Sequence, residues 1–235
     1  MSLLLIVVAF ILAMNIGANN SAAGMGAAYG AGVRSIRASV WLVAIFALLG
    51  AVIAGHKVVD TLGGKLIPAQ ILHEHSFAVL VVLVVTAVSV IVGNWLRVPI
   101  ATTHIIVCSE VGVGIFYGGL NTDKFLEIVG WWIVTPIAAM SISYFLGYLV
   151  YFKFLHIVSS LRDEKRIRTV LSVLITISGC FVAFSAGSNN AGNAVGPLVG
   201  AGYLNALPAV ILAAVGMAVG AVLFGGRIIE TVGKG

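Results

Sequence analysis

Gly17-Ala18-Asn19-Asn20 recurs 170 residues later as Gly187-Ser188-Asn189-Asn190, and this repetition decides the fold. Each copy lies within a long apolar stretch. The register holds without a gap from residue 17 to residue 65, where 16 of the 49 aligned positions are identical. A repeat of this length is much longer than the unit of a solenoid protein. The sequence therefore predicts a chain with two homologous halves.

The composition is that of a membrane protein. Hydrophobic residues make up 60% of the chain and charged residues 9%, with a mean hydropathy of +1.13, whereas about a quarter of the residues of a soluble domain are charged. A helix needs roughly 20 apolar residues to span a bilayer. We therefore predict an all-α polytopic membrane protein that contacts the lipid bilayer at seven apolar runs. These runs are residues 3–33, 38–54, 77–96, 98–117, 125–152, 169–202 and 206–225.

Several other classes of protein are not expected. The net charge of +5 comes from basic residues in predicted loops, so it does not indicate a nucleic-acid partner. Cys108 and Cys180 lie in apolar stretches, where packing is the simplest interpretation. The sequence has no nucleophile and base pair, no metal-ligand spacing and no nucleotide-binding loop. We therefore expect no enzyme activity, no catalytic residue, no cofactor and no metal site.

The basic residues predict the orientation of the chain, because cytoplasmic loops carry an excess of Lys and Arg. If the N-terminus lies outside and each run crosses once, only Lys57, Lys65 and Lys124 remain outside. The other ten basic residues then lie in the cytoplasm: Arg34, Arg37, Arg97, Lys153, Arg162, Lys165, Arg166, Arg168, Arg227 and Lys234. We predict a multi-pass plasma-membrane protein with its N-terminus outside.

The same topology predicts how the two halves are related. Residues 1–170 form a first transmembrane repeat with five crossings, and residues 171–235 begin a second repeat that is truncated. Because five is an odd number, the second copy is inverted relative to the first. The loop arginines Arg34 and Arg37 support this, since the matching positions in the second copy are both leucine. Inverted repeats place a substrate site near the bilayer midplane, between the halves.

The asparagine pairs are the first candidates for that site. Each pair interrupts an apolar run that is too long for one straight helix, which predicts a broken transmembrane helix whose free backbone groups line a cavity. Helix N-termini at such a break favour an anion, and carbonyl ends can hold a cation. The side chains expected to face a substrate or coupling ion are Asn19, Asn20, Asn189, Asn190 and Asn193. The alternative is that these amides only join closely packed helices.

Two further polar elements lie in the first repeat. Pro99 starts a segment that reaches Thr102, Thr103 and His104, and a proline at a helix start leaves the following turn with free backbone donors for an oxyanion. Glu110 lies within an apolar run, where an ionised side chain is costly unless it is paired or hydrated. The alternatives are an ordinary helix start and a protonated interior carboxyl. The candidate coupling-ion residues are Glu110, Asn193 and Ser21.

At these motifs the chain resembles the inorganic phosphate transporter (PiT) family. The family signatures read roughly Gly-Ala-Asn-Asp-Val-Ala-Asn and Gly-Ser-Asn-Asp-Val-Ala-Asn, and a Pro-Val-Ser-Thr-Thr-His element follows each. They match residues 17–23, 187–194 and 99–104, although Ala23 and Ala101 lack an amide and a hydroxyl of the family pattern. The resemblance covers essentially the whole chain and implies an inverted-repeat transporter. Its implied substrate-binding residues are Asn20, Thr102, Thr103, Asn190, Asn19 and Asn189.

The main departure from the family is that both signature aspartates are asparagine, at Asn20 and Asn190. A carboxylate accepts a hydrogen bond from phosphate that still carries a proton, whereas sulfate has no proton to donate and favours amide donors. This favours sulfate. The stretches 183–187 and 193–199 also look like the CysP-type sulfate permease branch. Removing two carboxylates that could hold sodium favours a coupling proton.

The sequence therefore predicts a secondary active transporter that takes up sulfate by alternating access, coupled to protons. A phosphate or thiosulfate transporter, with proton or sodium symport, is the alternative within the class. The second copy of the proline and threonine element is expected near residue 269, beyond Gly235. This keeps a third hypothesis open, a channel or non-transporting subunit that is completed by a homo-oligomer or by a second polypeptide.

Overall fold

The computed structural model is built from α-helices, as predicted. It describes residues 1–160 and 163–234, without the side chains at positions 57, 60, 61 and 157–160. Arg162 and the side chain of Lys57, two of the basic groups used for orientation, therefore lie outside the described residues. The helices are α1 (Ser2–Gly30), α2 (Ile36–Ala54), α3 (His56–Leu62), α4 (Ala69–Glu74), α5 (Ser76–Trp95), α6 (Thr102–Phe116), α7 (Thr122–Ser160), α8 (Glu164–Gly200) and α9 (Ala206–Lys234).

Six of these helices, α1, α2, α5, α7, α8 and α9, are long and apolar enough to span a bilayer. Together with their composition, they make the chain an integral membrane protein. α7 is the most exposed of them, because no residue of its most apolar window is buried in the chain. The sequence predicts that the first repeat ends at residue 170, and this residue falls within the first two turns of α8. That boundary stays a prediction.

The helices that carry the asparagine pairs are continuous, so the predicted break at these pairs is wrong. α1 runs unbroken past Asn20, and α8 runs unbroken past Asn190. Each side chain donates a hydrogen bond to the carbonyl four residues earlier, from Asn20 Nδ2 to Ile16 O at 3.0 Å and from Asn190 Nδ2 to Ala186 O at 2.8 Å. A backbone carbonyl has two lone pairs, so it can accept this bond together with its helical one. The amides are therefore accommodated within intact helices.

The break in the backbone occurs instead between α5 and α6. Residues 96–101 are not helical, and α6 has only 15 residues, which is too short for the predicted crossing at 98–117. The start of α5 and the end of α6 lie together, because the rings of His75 and Tyr117 stack with centroids 4.4 Å apart. Halfway along, Thr86 Oγ1 lies 3.4 Å from Ser109 Oγ. α5 and α6 therefore form a re-entrant hairpin, whose tip is residues 96–101.

The hairpin lowers the expected number of crossings in the first repeat without changing their parity. If α5 and α6 together return to the side from which they started, and α1, α2 and α7 each cross once, the first repeat has three crossings. Three is an odd number, as five was. The second copy is therefore still expected to be inverted relative to the first.

The packing of the long helices repeats with the 170-residue register. A Cβ on Gly17 would lie 2.0 Å from Met217 O of α9, and a Cβ on Gly187 would lie 2.0 Å from Ala47 O of α2. Met217 and Ala47 are themselves equivalent positions. Glycine is required here because the backbones touch. The α1 and α9 pair is thus matched by the α8 and α2 pair.

α1 and α8 cross in opposite directions between these pairs. Gly24 of α1 lies against Gly179 of α8, while Arg34, in the turn after α1, donates from Nε to Thr176 Oγ1 at 3.0 Å. Later positions in and after α1 therefore contact earlier positions in α8, which means that the two helices run in opposite directions. This antiparallel crossing of two equivalent helices is what an inverted repeat requires. Gly17 and Gly187 line one small cavity at the crossing.

Candidate oxyanion site

The hairpin tip brings Thr102 and Thr103 to the middle of α8. Both threonines lie in the first turn of α6, which begins at Thr102 without a side-chain cap. Thr102 Oγ1 donates to Asn190 Oδ1 at 2.7 Å, and Asn193 Nδ2 donates to Thr103 Oγ1 at 3.0 Å. The predicted free helix start therefore meets the second asparagine signature. Two parts of the chain almost 90 residues apart form one polar cluster.

Asn190 is the centre of this cluster. Its Oδ1 accepts hydrogen bonds from both Thr102 Oγ1 and Asn193 Nδ2, the latter at 2.8 Å. Asn190 is 6% exposed and Asn193 is fully buried, and Asn193 Oδ1 has no hydrogen-bond partner among the described residues. An unpartnered buried acceptor costs about 1 to 3 kcal/mol. The cluster therefore leaves one buried acceptor open to a further donor.

Asn19 makes different contacts from those of Asn190. It is buried on α1 and touches the hairpin tip, because Ile100 N donates to Asn19 Oδ1 at 3.2 Å and Asn19 Nδ2 lies 3.4 Å from Val98 O. Asn19 Nδ2 also donates to Asn94 Oδ1 of α5 at 2.9 Å. Both ends of this amide are occupied by protein groups. In this conformation Asn19 holds the tip and has no free donor for an anion.

Asn94 and its partner Asn15 were missed by the sequence analysis. Asn94 Nδ2 donates to Asn15 O at 2.9 Å and lies 3.1 Å from Asn15 Oδ1. One signal could have found them. Asn15 precedes Asn19 by one helical turn and shares its face, and Asn94 is the single amide in the apolar run 77–96. Without the hairpin, nothing in the sequence pairs the two.

The remaining candidates lie in three different places. Asn20 is half-buried and faces the cavity at the crossing of α1 and α8. Ser21 is buried against α9, where its Oγ lies 2.3 Å from the position of a Cβ on Gly225, and it donates to Gly17 O at 2.8 Å. Asn189 is exposed. The structure therefore brings Asn20 to the crossing, but neither Ser21 nor Asn189 to the threonine cluster.

Glu110 is fully buried on α6, and neither carboxyl oxygen has a hydrogen-bond partner among the described residues. Seven residues separate it from Thr103, so both side chains project from the same face of α6, two turns apart. An ionised carboxylate in this position would be buried without a counter-ion, which is so costly that such a group takes up a proton instead.

The site is closed in this conformation. The cavity at the crossing measures about 10 Å³, room for a single water molecule and not for a tetrahedral oxyanion. It is lined by Gly17, Asn20, Val43, Ala47, Ala183, Ala186, Gly187 and Met217. A larger groove of about 460 Å³ lies on the outer face of the hairpin, but its lining from Phe77 to Tyr117 is mostly apolar. In this conformation neither the cavity at the crossing nor this groove is a polar pocket of the size of an oxyanion.

Comparison with known proteins agrees with this architecture. The family model described as "Phosphate transporter family" matches residues 16–235. The chain belongs to this family. It is 37% identical to the sulfate permease CysP of Bacillus subtilis over 236 aligned residues, which cover the whole chain and 64% of CysP. It is 31% identical to the chloroplastic inorganic phosphate transporter 2-1 of Arabidopsis thaliana over 57% of the chain and 24% of that protein.

The fold is also that of a solved structure, "The sodium-dependent phosphate transporter". The match has a TM-score of 0.83 and covers 99% of this chain and 77% of the other, at 21% sequence identity. This likeness shows the fold. The chain thus spans about two thirds of the length of CysP and three quarters of the solved transporter. The family is described as one of phosphate transporters, and the six long apolar helices make this chain an integral membrane protein.

Proposed function

We propose that the protein takes up sulfate across the plasma membrane as a secondary active transporter with its N-terminus outside. The observation that carries this proposal is the chemistry of the polar cluster. Its side chains, Thr102, Thr103, Asn190 and Asn193, are all neutral amides and hydroxyls. The similarity to the sulfate permease CysP over the whole chain also supports it.

The choice of sulfate over phosphate rests on the second asparagine of each signature. Asn20 and Asn190 each use one N–H for the carbonyl four residues earlier, which leaves the other N–H of each amide for an acceptor. Sulfate accepts hydrogen bonds at all four oxygens and donates none. A carboxylate at either position would face it as an unsupported like charge. Two amides at equivalent positions therefore favour an anion without protons.

Phosphate is the second candidate, because specific relatives favour it. The Arabidopsis relative is named an inorganic phosphate transporter, and the solved structure with the same fold is a sodium-dependent phosphate transporter. A neutral amide can also donate to the unprotonated oxygens of phosphate. At this site sulfate and phosphate therefore differ only in that phosphate carries a proton that needs a hydrogen-bond acceptor. Asn193 Oδ1 is an open acceptor in the cluster.

The closed geometry supports alternating access. The bond from Thr102 to Asn190 and the bond from Asn193 to Thr103 occupy groups that an anion would use. An anion that enters must replace these contacts, which separates the hairpin tip from α8. Each lost bond of this kind costs about 1 kcal/mol, and charge-assisted bonds to the anion are about twice as strong. Binding can thus drive the separation.

We assign the coupling proton to Glu110. This group is neutral when the site is closed, and it shares a face of α6 with Thr103. Movement of α6 away from α8 would let water reach the carboxyl, which would then release its proton. Opening for the anion and release of the proton are thereby linked through one helix. Sodium coupling is less well supported, since the polar cluster contains no carboxylate.

The experiment that tests the proposal is anion-dependent stabilisation of the purified chain, followed by uptake. A ligand that binds the folded state at 100 times its Kd stabilises it by about 2.7 kcal/mol. We expect sulfate to raise the melting temperature more than phosphate or chloride at equal ionic strength. In cells without their own carriers, we expect uptake of labelled sulfate that a protonophore abolishes. Phosphate uptake that excess sulfate does not reduce would contradict the sulfate assignment.

A further inference from the structure

We infer that Asn94 is a positioning residue that keeps the hairpin tip in register with α8. Together with Asn15 and Asn19 it forms an amide clamp, a chain of side-chain bonds from α1 to α5. Among the described residues, Asn94 forms side-chain hydrogen bonds with Asn15 and Asn19 and none with Thr102, Thr103, Asn190 or Asn193. The inference rests on the proposed function only where it is tested by sulfate transport. Its structural readout is independent of which anion is carried.

The need for a clamp comes from the backbone of the tip. Irregular backbone within a membrane protein must find hydrogen-bond partners inside the protein. Leu96 N, Arg97 N and Val98 N donate back to the last turn of α5, and Arg97 has a left-handed backbone with a φ of 58°. Val98 O and Ile100 N lie beyond that turn. Pro99 between them has no N–H to offer.

Asn19 supplies both missing partners, in the way that a neighbouring peptide group would. Its Oδ1 accepts from Ile100 N and its Nδ2 faces Val98 O. Two peptide-like bonds on one side chain fix the tip only if that side chain is itself fixed. Asn94 does this, because its Oδ1 accepts the second N–H of Asn19.

Asn94 is anchored in turn by its other end. Its Nδ2 donates to the backbone carbonyl of Asn15 and lies within reach of the Asn15 side chain. The amide of Asn94 accepts from Asn19 through Oδ1 and donates to Asn15 through Nδ2 at the same time. An aspartate would lose the donor and a leucine would lose both. The amide chemistry of Asn94 is thus required by its two partners.

The clamp determines where the threonines lie. Ile100 is two residues before Thr102, and its side chain packs on Gly93, where a Cβ would lie 2.7 Å from Ile100 Cδ1. A tip that is released from Asn19 can rotate or slide along α8. Thr102 and Thr103 would then lose their register with Asn190 and Asn193. Asn94 therefore acts on anion binding through the position of α6.

The structural test is the accessibility of position 102 to a membrane-impermeant thiol reagent, in full-length chain from which Cys108 and Cys180 have been removed. Thr102 is 3% exposed, so Thr102→Cys should react slowly. We expect Asn94→Ala, which removes about two hydrogen bonds, to speed the reaction about tenfold. Asn15→Ala should speed it less, about threefold, because the Asn15 backbone carbonyl remains. Ser89→Ala, on the same helix, removes a hydroxyl that donates only to Val85 O within α5 and should leave the rate unchanged.

The transport test separates positioning from general damage. With Thr102 intact, Asn94→Ala should raise the KM for sulfate about tenfold while the maximal rate per transporter in the membrane stays within about twofold. Asn94→Gln, which keeps both amide ends, should restore most of the affinity. A lower maximal rate with an unchanged KM overturns the inference. If wild-type protein carries no anion, the proposed function fails, and the thiol reaction alone decides about the clamp.

The thiol reaction has two outcomes. The clamp is supported if the thiol reaction is faster in Asn94→Ala than in its parent, and also faster than in Asn15→Ala and in Ser89→Ala. An equal rate in Asn94→Ala and in its parent overturns it. If Asn94→Ala does not reach the membrane, the comparison of Asn15→Ala with its parent decides, and equal rates there also overturn the inference.

Discussion

The two asparagine signatures have almost the same sequence and quite different surroundings. On α1, the first asparagine, Asn19, is buried and holds the hairpin tip, while Asn20 is half-buried at the helix crossing. On α8, the order is reversed, since Asn189 is exposed and Asn190 is buried against Thr102. One hairpin thus contacts the first asparagine of one signature and the second asparagine of the other.

This difference separates two tasks that a repeated motif combines. Asn19 satisfies backbone groups of the tip, which is a structural task, and Asn190 meets hydroxyls that can exchange for an anion. Sequence identity between the copies therefore does not imply an identical role. In the part of the chain that the structure describes, no second hairpin contacts Asn189 as α5 and α6 contact Asn19. The following predictions test how far the copies are equivalent.

The largest effect is expected where the copies are most alike, at the glycines of the helix pairs. Gly17→Ala and Gly187→Ala each place a Cβ 2.0 Å from a backbone carbonyl of the partner helix. Neither backbone can move without opening the pair, so each change should cost about 3 kcal/mol or more. We expect both variants to be lost from the membrane to a similar extent.

The control for this prediction is Gly147→Ala on α7, where a new Cβ meets no atom within 4 Å. Its amount in the membrane should equal that of the wild type. Normal accumulation of Gly187→Ala beside loss of Gly17→Ala would show that the two helix pairs are not equivalent.

The next effect concerns the choice of anion. Asn190→Asp places a carboxylate beside Thr102 and Asn193 in the buried cluster, and we expect sulfate uptake to fall by about a hundredfold or more because of like-charge repulsion. Asn20→Asp should have a smaller effect, since Asn20 is more exposed. Competition between labelled sulfate and phosphate measures both. Larger damage from Asn20→Asp than from Asn190→Asp would reverse the order of the two sites.

A smaller effect separates the first asparagines. Asn19→Ala removes the partners of Val98 and Ile100, and we expect the KM for sulfate to rise about tenfold. Asn189→Ala removes an exposed amide and should change the KM by less than about twofold. The KM of each variant is measured from the kinetics of sulfate uptake, with equal amounts of the protein in the membrane. Equal losses in both variants would mean that Asn189 has a partner equivalent to the hairpin tip.

The smallest effect is expected at Glu110. With a titratable carboxyl, uptake driven by protons should increase as the external pH falls, because the carrier loads its proton more readily. Glu110→Gln keeps the neutral shape, so uptake should continue at a reduced rate and lose most of its dependence on pH. Uptake at several pH values with the membrane potential held constant measures this. An unchanged pH profile in Glu110→Gln would remove Glu110 from the coupling mechanism.

Much of the architecture could be predicted from the sequence. The register between Gly17 and Gly187 predicted equivalent helices, and the same register appears in their contacts with Met217 and Ala47. Thr102 was placed in a first helical turn by Pro99, since a proline at a helix start is a local signal. These features depend on short stretches of chain or on repetition, which a single sequence displays directly.

Other features could not be predicted, because they depend on contacts between distant residues. The unbroken helices at Asn20 and Asn190 result from side-chain bonds within one turn, which glycine-rich composition conceals. The reversal between α5 and α6 was interpreted as a second crossing, since hydropathy does not distinguish a re-entrant hairpin from two spans. Asn94 acquires a role only when the tip lies against α1.

The central claim is that neutral amides at Asn20 and Asn190 select an anion without protons. The most direct measurement is the stabilisation of purified protein by sulfate and by phosphate, for the wild type and for the double variant Asn20→Asp, Asn190→Asp. We expect sulfate to stabilise the wild type more strongly than phosphate, and the preference to be reversed in the double variant. Equal preference in both proteins, at matched ionic strength and pH, would contradict the claim.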